Sequence, residues 1–104
     1  MKRLTISDLP EAPLEASRMF HAEWLGKART LLAGDDLLIA LPHADHTHSE
    51  WRCAAAAMLA RVGVPQRAFV VAGEGKMLDE TERFLAGAPG ITGQYLKLHS
   101  DEAA

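Results

Sequence analysis

Six residues carry the densest potential chemistry in this sequence: His43-Ala44-Asp45-His46-Thr47-His48. Three of the five histidines and one aspartate fall within this segment. Imidazole and carboxylate together suit zinc or another borderline divalent metal, so His43, Asp45, His46 and His48 are the candidate metal ligands. The competing reading is a polar loop that caps a helix, with Thr47 and Glu50 at the spacing of a capping box. Loop capping is the favoured of the two, so no cofactor is expected, and zinc is the alternative.

A second candidate is Gly73-Glu74-Gly75-Lys76, between an apolar run and a helical pattern. Free backbone N–H groups there, with Lys76, could hold a phosphate or carboxylate. Glu74 would repel that anion, and the trailing Ser/Thr of a phosphate loop is missing, so Gly73 and Gly75 read first as turn residues. Cys53 has no base beside it and reads as a small buried helix residue. Trp24 and Trp51 read as core or interface anchors.

The elements that must position these groups follow from periodicity. Residues 2–7 alternate polar and apolar and predict a strand. Residues 14–33 predict a helix, with Phe20, Trp24, Ala28 and Leu31 on one face and Gly34 closing it. Residues 35–41 end in a continuous apolar run and predict a strand covered on both faces. A helix runs from the capping box to Val62, ended by Gly63 and Pro65. Residues 67–72 predict a third strand. A helix follows over about 77–86, with Met77, Leu78, Thr81, Phe84 and Leu85 inward, and residues 94–99 predict a last strand.

The order βαβαβαβ, with helices long enough for crossovers, predicts a small Rossmann-like α/β domain over residues 1–104. Its sheet is expected to be four-stranded and parallel, in the order 1-2-3-4. Steady right-handed crossovers would stack the helices on one face. The other face, with DLLIAL and AFVVA, would then be bare and drive dimerisation, unless the third helix crosses to that face and covers it within one chain.

With 104 residues, 48% hydrophobic and 24% charged, the chain suits one modest core. A net charge of -3 without a Lys/Arg block argues against nucleic-acid or anionic-membrane partners. A single cysteine excludes an intrachain disulfide and fits a reducing, cytoplasmic compartment. The start, MKRLTISDLPEAP, turns polar too soon for a signal peptide.

Three words resemble the C-terminal half of a short-chain dehydrogenase/reductase. Phe84-Leu85-Ala86 followed by Gly90-Ile91-Thr92-Gly93-Gln94-Tyr95-Leu96 resembles that family's FLAS…ITGQxLxVDGG segment. Arg67 to Gly73 resembles its RVNAVAPG strand and turn, and Asp36 to Leu41 the strand that ends at its catalytic serine. The cofactor half with its Gly-rich turn is missing, and HADHTHSEWR stands where the Tyr-xxx-Lys pair is expected. The family's final DGG is replaced by His99-Ser100-Asp101. The resemblance therefore implies the fold and a subunit interface at Phe84, Leu85, Tyr95 and Leu96, but no catalytic residue. HADH also resembles part of the HxHxDH motif of metallo-β-lactamase-type hydrolases, with Leu41 in place of the first His.

These observations rank a non-catalytic domain first, acting through self-association or by binding a partner or small ligand. A metal-binding protein or small metal-dependent hydrolase comes second, and an accessory subunit of a reductase third. A homodimer is the expected assembly; any other protein partner is unknown.

Overall fold

The computed structural model describes residues 1–99. It contains four strands, β1 (Lys2–Thr5), β2 (Leu37–Leu41), β3 (Ala68–Ala72) and β4 (Tyr95–Lys97). They form one parallel sheet in the order β1-β2-β3-β4. The expected Rossmann-like α/β arrangement is therefore present.

The first helical stretch is not uniform. Pro13–Met19 (α1) and Leu25–Leu32 (α2) are α-helical, and Phe20–Trp24 between them forms a π-helical turn. Phe20, Ala28 and Leu32 are fully buried, while Trp24 and Leu31 pack at the margin. The wider turn shifts the inward face by about one position after Trp24, which brings Leu32 rather than Leu31 to the centre. Ser49–Val62 forms α3 and Gly75–Ala86 forms α4. Among the described residues no helix is long and apolar enough to cross a membrane.

The strand side chains divide the core in two. Leu4, Ile6, Leu37, Ile39, Leu41, Ala68 and Val70 meet Phe20 of the π-helical turn, α2 and α3 on one face. Leu38, Ala40, Phe69 and Val71 meet Leu78 and Leu85 of α4 on the other. This is the period-2 alternation of a sheet apolar on both sides. The small residues Ala55, Ala56 and Ala60 let α3 lie close to β3.

The placement of α4 corrects the expectation of helices stacked on one face with the opposite face bare. In a parallel sheet that follows chain order, a helix on the other face gives its crossover the opposite hand. The β3–α4–β4 connection thus differs in hand from the two before it, against a preference that holds in about 98% of such units. Side-chain contacts hold α4 there. Leu78 and Leu85 are buried, and Arg3 ion-pairs with Asp79 at 2.9 Å and Glu82 at 2.8 Å.

Arg67 fastens the far end of α4. Its Nη1 donates to the carbonyls of Leu85 and Ala88 at 2.9 and 2.7 Å, and its Nε donates to Asp36 at 2.9 Å. The last carbonyls of a helix have no partners within the helix, so a cation placed there satisfies them and complements the helix dipole.

Candidate functional site

The loop after β2 lies beyond the C-terminal ends of the strands, where open α/β sheets take their ligands. Pro42 to Asp45 lie outside helix and strand, and His46–His48 form one 3-10 turn leading into α3. Asp45 caps this turn by accepting from the Thr47 backbone N–H at 3.0 Å and from the Thr47 hydroxyl. These bonds to the Thr47 hydroxyl and amide hold the Asp45 carboxyl below the ordinary carboxylate range. The Thr47–Glu50 capping box therefore does not form. Thr47 gives its hydrogen bonds to Asp45, and α3 starts after His48 without a side-chain cap.

His48 is buried, and both its ring nitrogens are engaged. Trp51 Nε1 donates to Nδ1 at 3.1 Å, and Nε2 lies 2.8 Å from the Glu11 carbonyl. The indole N–H is only a donor, so Nδ1 is the acceptor and Nε2 carries the proton toward Glu11. His43 and His46 are exposed. His43, Asp45 and His48 line one cavity of about 350 Å³, together with Leu9 to Glu11, Ala44 and Arg52. His46 is not part of this lining. No group of three His, Cys, Asp or Glu side chains among the described residues is arranged to hold a metal ion.

Arg52 has no counterpart in the sequence-level site. It is 1% exposed, and its Nη1 donates to the Pro42 carbonyl at 2.9 Å and the Tyr95 hydroxyl at 3.3 Å. Among the described residues its Nε has no hydrogen-bond partner. One sequence signal could have marked it. His48 and Arg52 are four residues apart at the start of a helix, the spacing of the Tyr-xxx-Lys pair expected in this place.

The remaining candidates sit elsewhere. Gly73 and Gly75 shape the turn from β3 into α4. A Cβ on Gly73 would lie 2.8 Å from Leu98 Cδ1, and Gly75 adopts a φ of +68°. Lys76 is exposed on the first turn of α4. Of the four interface residues, Phe84 is 66% exposed, against its expected inward position, while Leu85 is buried in the core. Tyr95 and Leu96 are half-buried on opposite faces of β4. Cys53, expected to be buried, is exposed. Trp24 and Trp51 pack against the larger core as anchors.

Sheet order, alternating helices and a cavity at the strand ends define a Rossmann-like α/β domain. Residues 4–98 match the family described as short chain dehydrogenase-like protein, and the chain belongs to that family. No curated protein and no solved structure matches it.

Proposed function

We propose that this domain is a non-catalytic member of its family that acts by self-association, with a homodimer as its working form. The observation that carries this reading is Phe84, a large aromatic side chain exposed on α4 beside the open edge of β4. Met77, Thr81, Phe84, Leu96 and Leu98 line one apolar groove of about 390 Å³. Glu80 and Lys97 line the same groove and offer opposite charges for a two-fold contact. The edge strand β4, with Lys97 at its end as its blunting charge, is suited to pairing.

The absence of catalysis is supported by the helix start. His48 and Arg52 stand where a phenol and an ammonium are expected, and His48 has both nitrogens occupied. Tyr95, the one tyrosine, instead accepts from Arg52. The exposed thiol of Cys53 fits a reducing compartment such as the cytoplasm.

Light scattering over a concentration series tests the dimer. The expected mass is twice 11.3 kDa, falling to 11.3 kDa in Phe84→Glu with an unchanged circular dichroism spectrum. A constant 11.3 kDa for the wild type into the high micromolar range would overturn the reading.

A further inference from the structure

Two arginines, one half-buried and one buried, are accommodated in different ways. Arg67 is matched within the chain by the Asp36 carboxylate and helix-end carbonyls. Arg52 is more deeply buried, yet no carboxylate among the described residues ion-pairs with it. Its protein contacts are one carbonyl, one hydroxyl, and the rings of Trp51 and Tyr95 at 5.5 and 5.9 Å. Withdrawing a guanidinium from water costs several kcal/mol unless an anion compensates. The described residues leave that place open.

The geometry indicates what would fill it. Arg52 sits at the cavity beyond the strand ends. With Nη1 committed, the edge formed by Nε and Nη2 has no protein partner among the described residues. That edge is a planar two-donor fork, which matches the two oxygens of a carboxylate. The rest of the lining narrows the class. Glu11 and Asp45 border the same cavity and would repel a second negative charge, while Leu9, Pro10 and Ala44 provide apolar wall. The segments Leu9–Glu11 and His43–Asp45 lie outside helix and strand, so a ligand enters by parting loops and not by breaking the sheet.

We infer that this cavity binds a small organic monocarboxylate, its two oxygens on Nε and Nη2 of Arg52 and its short body against Leu9, Pro10 and Ala44. The site is separate from the α4–β4 surface, so it stands or falls independently of the dimer.

The test is a nuclear magnetic resonance titration of the full ¹⁵N-labelled chain with propionate, with chloride at matched ionic strength, and with inorganic phosphate. Propionate is expected to shift the Arg52 Nε–H signal and the Ala44 and His48 amides saturably, and chloride to leave them unmoved. In a folded Arg52→Gln variant the affinity for propionate should fall at least about tenfold, the scale of one charge-assisted hydrogen-bonded pair. Arg52→Lys, which keeps the charge but lacks the fork, should also weaken binding.

Equal responses to propionate and chloride, or undiminished binding in folded Arg52→Gln, would overturn the site. Tighter binding of phosphate than of propionate would overturn the monocarboxylate assignment. Should Arg52→Gln not fold, the wild-type Arg52 Nε–H signal decides alone, because it reports on the proposed contact itself.

Discussion

Trp51 donates its indole N–H to Nδ1 of His48 across 3.1 Å, and that bond sets the tautomer of the ring. With Nε2–H turned to the Glu11 carbonyl, His48 fastens the segment after β1 to the start of α3. It keeps no lone pair for a metal.

Purified protein is therefore expected to carry far less than stoichiometric zinc after gel filtration. His43→Ala and His46→Ala should leave that content unchanged, as read by elemental analysis. A stoichiometric ion in the wild type that either substitution removes would restore the metal reading of the His43–His48 loop.

Nicotinamide chemistry should also be absent. After β1 the chain continues Ile6-Ser7-Asp8-Leu9-Pro10, with no glycine to bring backbone close to a pyrophosphate. We expect no turnover of simple alcohols or ketones and no saturable heat of NADH or NADPH binding by calorimetry. Measurable turnover together with saturable binding would contradict the non-catalytic reading.

Much of this arrangement is legible in the sequence. Leu37–Leu41 and Ala68–Ala72 are uninterrupted apolar runs, which a strand needs only when both its faces are covered, and both runs are wholly buried. The face chosen by α4 was not legible from crossover statistics, because its position is fixed by Leu78, Leu85, Arg3 and Arg67, contacts between distant parts of the chain. The same apolar runs did contain a hint, since Leu38, Ala40, Phe69 and Val71 need a helix and only α4 was left to supply it. The enclosure of Arg52 is not legible in the sequence for a different reason. An arginine in a helix is ordinarily solvated, and only the fold shows that this one is enclosed.

Arg67 gives the sharpest stability prediction. Replacing it with Met keeps much of the stem but removes the ion pair with Asp36 and the donors to Leu85 and Ala88. Loss of this partly buried network is expected to cost about 2–4 kcal/mol, read as a lower urea midpoint with an unchanged slope. A loss below about 0.5 kcal/mol, the range of ordinary surface substitutions, would show that apolar packing alone holds α4 on its face.

Asp45 predicts a dependence on acidity. Its folded pKa is lowered, first by the Thr47 hydroxyl and then by the Thr47 amide. The unfolded chain therefore binds the proton more readily, and stability from this group is present above the unfolded value of about 3.9. It is lost as pH falls through the lower folded value. Asp45→Asn should be slightly less stable than wild type at neutral pH, and the gap should close in acid. A gap that is constant from neutral pH to strong acid would remove the carboxylate from the account.

The parallel, sequential order of the strands also sets how the domain would bear load. The chain enters at the lower end of one edge strand, β1, and leaves the upper end of the opposite edge strand, β4. Tension between the two ends therefore runs lengthwise along the sheet. Each edge strand would slide past its neighbour with its ladder bonds strained together, whereas a hairpin pulled at its ends opens one bond at a time. Such a geometry resists stretching through the whole ladder at once, with the three-residue strand β4 as the first to yield.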